Sequence, residues 1–467
     1  MSVFAWWDST YQYRFAFTIA NANVGETLTD FPLHIDLGTK APANFWTHVD
    51  TNGEDIRIID EDDTTNLSSQ AHLEGWNKTS SKGHLWVKRS IAASGNHELV
   101  YIYYGKSGDT TAFSDSTKQN TYNAGYKGVW HLDETSGDHL DATGNNNDSG
   151  TNSILTQGSA IGSINGADTL NGSNNYITIP YNSSLAAAHI TYEAWFNTTN
   201  KTLDKRILSK TESGGYRMVL NDENSSCPAN NLCALITTNT DYYAAAWPVS
   251  NLNNNTWYST AATYDGETLT LYVNGTARGT NTDPSGDIKY TYSNPLCIGS
   301  EVSTSACTDG NYFGGSLDEI RISDFARSPE WLEFSYSSDA GTGGVAGPEE
   351  FAGYTVQNLT AGLYPVLTSN WTTDISENSI TGIHAVGIKN DTYRIASFNV
   401  NFTQNLDWSS LTVDSNGIKS LFHYPGGFAS LPGISGTSYT LYIPTNNKSL
   451  VLICPGATSL NDITETC

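Results

Sequence analysis

Leu269-Thr270-Leu271-Tyr272-Val273-Asn274-Gly275 sets Leu, Leu and Val alternately with Thr and Tyr and then closes on Asn-Gly. A period of two puts one set of side chains on one face of a strand. Asn-Gly accepts the positive φ values of a type I′ turn, so the stretch predicts a strand running into a hairpin. The same alternation surrounds it. Tyr176-Ile177-Thr178-Ile179 and Thr191-Tyr192-Glu193-Ala194-Trp195-Phe196 read as strands, as do the runs carrying Phe15, Phe17 and Ile19, then Leu33, Ile35 and Leu37. Ile56 with Ile58, and Val100 with Ile102 and Tyr104, continue the pattern, and Asn52-Gly53 and Ser94-Gly95-Asn96 supply turns between the runs. No helical period is sustained. The best helix candidate is Ser328-Pro329-Glu330-Trp331-Leu332, with Pro at a first-turn position. The fold class is therefore all-β.

The chain has 467 residues, more than one core usually supports. Residues 1–107 read as a small antiparallel β-sandwich, and the polar stretch from Ser107 to Asn123 reads as a linker. Residues 125–338 have the size of a large two-sheet jelly roll. The Gly-rich run from Ala340 to Pro348 reads as a flexible linker, and residues 351–467 form a third β block of immunoglobulin-like size.

Charge narrows the partners. Lys and Arg number 23 against 48 Asp and Glu, a net charge of −25, which repels nucleic acid and anionic lipid. No apolar run approaches the roughly 18–20 residues of a membrane span, so membrane insertion is not expected. Charged residues are only 15% while aromatics reach 11%, a balance that suits a neutral polar surface outside a cell.

Six cysteines, Cys227, Cys233, Cys297, Cys307, Cys454 and Cys467, form three sequential pairs 6, 10 and 13 positions apart. Sequential pairing is one of fifteen connectivities, each pair stapling a local loop; the alternative is buried thiols. Disulfides imply an oxidising compartment. Asn-x-Ser/Thr sequons stand at Asn66, Asn77, Asn147, Asn171, Asn182, Asn197, Asn200, Asn224, Asn254, Asn274, Asn358, Asn370, Asn390, Asn401 and Asn447, and point the same way if glycosylated. Met1-Ser2-Val3-Phe4-Ala5-Trp6-Trp7-Asp8 shows no basic start followed by an apolar leader. Either a leader has been removed or export takes another route, such as release of a virion component at lysis.

Two blocks resemble known families. Residues 1–107 resemble a module known only as a domain of unknown function, common in archaeal, bacterial and viral surface proteins. The matching phrases are Trp6-Trp7-Asp8 through Tyr13-Arg14, Asn52-Gly53-Glu54-Asp55-Ile56-Arg57, Leu85-Trp86-Val87-Lys88 and Tyr101-Ile102-Tyr103-Tyr104-Gly105. Residues 125–338 resemble the laminin-G-like, concanavalin A-like jelly roll. There the matches are Val129-Trp130-His131-Leu132-Asp133-Glu134, Asp141-Ala142-Thr143-Gly144-Asn145, Leu170-Asn171-Gly172-Ser173-Asn174-Asn175-Tyr176, Thr263-Tyr264-Asp265-Gly266 and Leu317-Asp318-Glu319-Ile320-Arg321-Ile322-Ser323. The resemblance implies a surface or adhesive role with a tendency to bind glycans, though fold alone does not fix function.

Two sites follow as expectations. The Asp141–Asp148 loop offers carboxylate, amide and carbonyl oxygens of the kind calcium takes, and many laminin-G-like jelly rolls pair it with an acid on a late strand, here Asp318. Asp141, Asn146, Asp318 and the Gly144 carbonyl are the candidate Ca2+ ligands of a structural site; an ordinary Asx-rich turn is the alternative. Tyr242, Tyr243 and Trp247, with Tyr216, could stack on sugar rings, or they could pack the core.

Catalysis is not expected. Glycoside hydrolysis needs two carboxylates facing one groove, and no Glu-x-Asp-x-Glu strand occurs. Asp133 and Glu134 are adjacent, so in a strand they point to opposite faces. Gly-x-Ser-x-Gly and His-Glu-x-x-His are absent as well. The sequence thus predicts a non-enzymatic extracellular adhesion protein, on a cell or virion surface, that engages a surface glycan or glycoprotein. The alternatives are a structural subunit assembling with its own copies in a filament, surface layer or virion appendage, and a carbohydrate-active enzyme.

Overall fold

The structure is a computed structural model. It describes residues 6–94, 98–123, 125–150, 152–202, 205–210, 214–222, 227–239, 241–303, 305–354, 356–376, 380–415, 420–442, 457–459 and 461. Strands make up 41% and helices 9%, so the chain is all-β as expected. It divides into two compact units, one of residues Arg14–Glu349 and one that joins Met1–Tyr13 to Glu350–Cys467.

Two architectures share the larger unit. Near its start, strands Gly344–Ala346, Tyr13–Ile19, Leu99–Tyr104 and Arg57–Asp60 lie in that order, and a three-stranded sheet runs Leu28–Asp36, Lys82–Ile91, Ala71–Asn77. Phe15, Phe17 and Ile19 are buried, as their alternation requires. The strand Leu28–Asp36 breaks the usual rule of one wet face. Leu33 and Ile35 are buried on one face, and His34 is buried on the other. The Gly-rich run expected to be a flexible linker is not one, since Gly344–Ala346 pairs with Phe17–Ile19 as an edge strand. Small residues suit it, because a Cβ at Gly344 would meet the Phe17 ring at 2.4 Å. The polar stretch after residue 107 holds a helix, Asp115–Thr121, with a Ser114–Thr117 capping box.

The jelly roll follows as two sheets. The first runs Asp241–Pro248, Asn231–Thr238, Tyr216–Leu220, Lys205–Lys210, Leu296–Ile298, Tyr176–Ile179, Asn152–Ser153. The second runs Thr276–Asn281, Leu269–Val273, Tyr258–Tyr264, Ile190–Thr198, Gly314–Ser323, Tyr126–Trp130, with Asp168–Asn171 also paired to Gly314–Ser323. Their inner faces interdigitate Ile177, Ile179, Tyr192, Phe196, Met218, Ile236, Leu271 and Ile320 in one core. Asn274 and Gly275 both have positive φ at the expected hairpin tip. The helix Pro329–Asp339 starts at a Ser328 cap with Pro at its first position and buries Trp331, Leu332 and Phe334.

The smaller unit contains the sheet Tyr364–Leu367, Gly382–Lys389, Arg394–Phe402, Thr440–Leu441 over a core that includes Val386, Phe398, Val400 and Trp408. The Ala352 amide donates to the Gln12 carbonyl at 2.8 Å, so both chain segments take part in it.

Candidate binding surface and a buried histidine cluster

Each jelly-roll sheet has an outer face, and the two differ in cover. On the second sheet, Arg321 is bonded to Ser335 at 3.2 Å and paired with Asp339 at 2.9 Å. Trp195 stacks on Tyr336 at 5.7 Å. The helix Pro329–Asp339 therefore closes over that face.

On the first sheet, register aligns Ala244, Leu235, Arg217, Ser209, Cys297 and Thr178 in one row across six strands. A neighbouring row carries Ala246, Cys233, Val219 and Arg206. Both disulfides start from this face. Cys233 bonds Cys227 and Cys297 bonds Cys307, as sequential pairing expects; Cys454 and Cys467 lie outside the described residues. The second staple closes the loop that carries Glu301. That carboxylate bonds Arg206 Nε, accepts from Ser209 Oγ at 3.0 Å and lies 3.8 Å from Arg217. Asp222 accepts from Arg217 at 2.9 Å and lies 3.5 Å from Arg206. Two guanidiniums and two carboxylates thus form a charged quartet, with Glu301 contributed by the loop that Cys297–Cys307 closes.

Aromatic rings flank the quartet. Tyr242 is 37% exposed, with the Arg217 guanidinium 6.0 Å from its ring centroid. Beyond the other end, Tyr176 and Tyr312 stack at 6.4 Å. The four rings expected to bind sugar are not brought together. Alternation turns Tyr243 and Trp247 toward the core, where both pack half-buried, and the Arg278 guanidinium sits 5.5 Å from the Trp247 ring. Tyr216 is a correction: it is fully buried, 5.2 Å from Tyr192, and its hydroxyl donates to the Leu185 carbonyl. The whole strand is buried, with Tyr216, Met218 and Leu220 in the core and Arg217 and Val219 on the other face, so alternation alone could not have told which ring would be exposed.

The expected calcium ligands also lie apart in their roles. Asp141 Oδ1 accepts from the amides of Val129 and Thr143, and Oδ2 accepts from the Asn147 amide and the Thr143 hydroxyl. Four bonds fill a carboxylate, so Asp141 does not fit a calcium site. Asn146 donates to the Gly144 carbonyl at 3.4 Å. Asp318 is fully buried and holds a different loop, accepting from the amides of Ser163 and Ile164. One sequon is also corrected. Asn147 is buried and its amide nitrogen donates to Lys127 O and Ser184 Oγ, which leaves no room for a glycan. Asn224 and Asn447 lie outside the described residues.

A cluster that the sequence reading missed lies where the three-stranded sheet meets the jelly roll. Register sets His34, Trp86 and His72 in one row of that sheet and Asp36, His84 and Glu74 in the next. This polar face would normally be wet. Here it is buried against Tyr122, His131, Glu319 and Arg321: Trp86 lies 5.4 Å from His131, and the Arg321 guanidinium is 5.1 Å from the Trp86 ring. His131 Nδ1 is 2.7 Å from Glu319 Oε1 and 3.4 Å from Glu74 Oε2. Glu74 Oε2 also accepts from Trp86 Nε1 at 2.8 Å.

Burial pushes Glu74 up to about 8. It also opposes charge on His131, yet the Glu319 and Glu74 carboxylates hold that imidazole up at about 9. Burial would raise Glu319 as well, but His131 and Arg321 bring it down to about 2. His72 has no such partner, and burial drives it well below the usual histidine range. The signal in sequence was the pair His72-Leu73-Glu74, two positions apart on one strand face, but nothing in sequence says that face is covered.

Residues 52–147 match the family described as a domain of unknown function, DUF2341, and residues 171–333 match the concanavalin A-like lectin/glucanases superfamily. Among solved structures, the binding domain of Paraclostridial Mosquitocidal Protein 1 is similar at 13% identity, over 62% of this chain and 77% of that one, with a TM-score of 0.36. Domain 4 of AbnA, an extracellular arabinanase from Geobacillus stearothermophilus, in complex with arabinotriose, is 19% identical over 44% of this chain and 96% of that one, at a TM-score of 0.33. The ligand binding domain of botulinum neurotoxin serotype D, in complex with N-acetylneuraminic acid, is 12% identical over 65% and 82%, at 0.35. No curated protein matches the chain. The chain therefore carries a DUF2341 domain over residues 52–147, followed by a concanavalin A-like domain over residues 171–333.

Proposed function

We propose that the protein is a non-enzymatic extracellular surface or adhesion protein whose jelly roll recognises a glycan or glycoprotein at the Tyr242 end of its first sheet. The observation that carries this reading is an exposed tyrosine ring on the edge strand of the first sheet, beside the buried Arg217 guanidinium. An aromatic ring with a polar tip gives a sugar both a stacking plane and a hydrogen-bonding partner. The quartet behind it holds Arg217 in place. Its two acids, Asp222 and Glu301, are each tied to guanidiniums, an arrangement that serves positioning rather than proton transfer. Two disulfides support an oxidising, extracellular setting. Among the described residues no helix is long and apolar enough to cross a membrane.

A glycan array probed with the full-length protein tests the reading. The wild type is expected to bind a restricted set of glycans. Tyr242→Ala is expected to lose at least about tenfold in affinity with an unchanged melting temperature, because stacking on an exposed ring contributes to binding and not to folding. A wild type that binds no glycan, or a variant that binds equally well, overturns it. A purely structural subunit predicts the first of those outcomes.

A further inference from the structure

The structure assigns a second site: we propose that His72, Glu74 and His131 bind one transition-metal ion of the zinc class, which locks the three-stranded sheet to the jelly roll. Each of the three side chains can offer one ligand atom such that all three atoms lie within 4.8 Å of one another. Zinc–nitrogen bonds of about 2.0–2.1 Å place tetrahedral ligand atoms about 3.4 Å apart, so side-chain movements on the order of 1 Å complete the contact.

Unmet polar atoms point to a ligand. Both ring nitrogens of His72, Oε1 of Glu74 and Nε2 of His131 are buried without a hydrogen-bond partner. Each side chain is at least nine-tenths buried. Groups of this kind are rarely left bare in a folded protein, and a cation that takes one lone pair from each of the three side chains lowers the penalty. Tyr122, whose rings lie 5.5 and 5.6 Å from His72 and His131, likewise has a buried hydroxyl with no partner.

The surroundings are arranged as metal sites are. His131 Nδ1 faces Glu319, which leaves Nε2 as the bare atom; a carboxylate behind a histidine fixes its ring orientation and raises its basicity. Glu319 is in turn held by Arg321 at 2.8 Å. It stands at a β-bulge and takes a left-handed φ of 48°, and Leu132, next to His131, has 56°. Non-glycine residues enter that region at a cost, and such strain gathers at functional sites. Two imidazoles and one carboxylate favour zinc, copper, nickel or cobalt over calcium and magnesium, which take oxygen. His72 lies on a strand of the three-stranded sheet and His131 directly follows the jelly-roll strand Tyr126–Trp130, so the ion would act as a clamp and not as a reaction centre.

Elemental analysis of full-length protein, purified without chelator and then equilibrated with Zn2+ and dialysed, is expected to give about one equivalent of zinc. Reconstitution with Co2+ is expected to give the intense visible bands of a four-coordinate ion, and Zn2+ to raise the melting temperature of chelator-treated protein by several degrees. His72→Phe and Glu74→Gln abolish stoichiometric binding, while Glu319→Gln, behind His131, weakens it about 10–100-fold. Should a variant not fold, the wild-type cobalt spectrum and zinc shift decide alone. Substoichiometric zinc in the wild type with no cobalt bands and no thermal shift overturns the proposal, as does binding that survives both His72→Phe and Glu74→Gln.

Discussion

Tyr242 and Tyr243 sit side by side in the chain and meet opposite environments, because successive residues of a strand face opposite ways. Removing a ring therefore has different effects at different positions. Tyr216→Ala is expected to destabilise by about 3–5 kcal/mol, the range for emptying a buried aromatic site, whereas Tyr242→Ala should stay within about 0.5 kcal/mol. Urea unfolding monitored by tryptophan fluorescence reads both. His139 offers a test by pH. Its ring nitrogens lie 2.9 Å from Glu134 and 2.9 Å from Asp168 in a fully buried setting. Burial alone would push the imidazole down, but the Asp168 and Glu134 carboxylates hold it up at about 9. A histidine raised above its unfolded value of about 6.5 stabilises most below that pH and loses its contribution as pH rises through about 9. The His139 contribution to unfolding free energy is thus expected to fall by about 2–3 kcal/mol between pH 6.5 and 9, and His139→Gln to make the overall decline with pH shallower by that amount. Residue types were legible in the sequence; which way each one faced was not. Tyr216, read as a ligand contact, and Asp141, read as a calcium ligand, both turn out to serve the interior.

Strands were the most legible elements, since period two needs no tertiary knowledge. The strand before Asn274-Gly275, the helix at Pro329 and the stapled loops at Cys227–Cys233 and Cys297–Cys307 all follow from local chemistry. Elements defined by their partners were less legible. Gly344–Ala346 reads as linker because glycine lowers strand propensity, and it becomes a strand only because Phe17–Ile19 offers an edge. The bulge at Glu319 is invisible in a run that reads as plain alternation. The loop between Cys297 and Cys307 carries a prediction at this scale. Replacing both cysteines with serine is expected to destabilise by roughly 2–3 kcal/mol, as a closed loop of this length implies, and to release Glu301 from Arg206 and Ser209. Amide hydrogen exchange over residues 299–310 should rise well before global unfolding, with the rest of the jelly roll still protected.

For the molecule as a whole, the order of domains was legible from motif succession, and their physical separateness was not. A sheet with polar residues on its second face reads as a sandwich that could stand alone. Here His34, His72 and Trp86 on that face are buried, and Phe31 packs on Trp331 and Phe334 at 4.8 and 5.0 Å. Residues 14–107 expressed alone are accordingly expected to show no cooperative thermal transition by circular dichroism, and residues 14–349 to melt in one.

The pairing of Phe17–Ile19 with Gly344–Ala346 has a mechanical consequence. The chain enters and leaves the larger unit along neighbouring strands, so more than three hundred residues hang as a side loop on a short antiparallel zipper. Tension drawn through Arg14 and Glu349 peels that zipper rung by rung, while the stapled sheets beyond it carry no load until the last rung has parted.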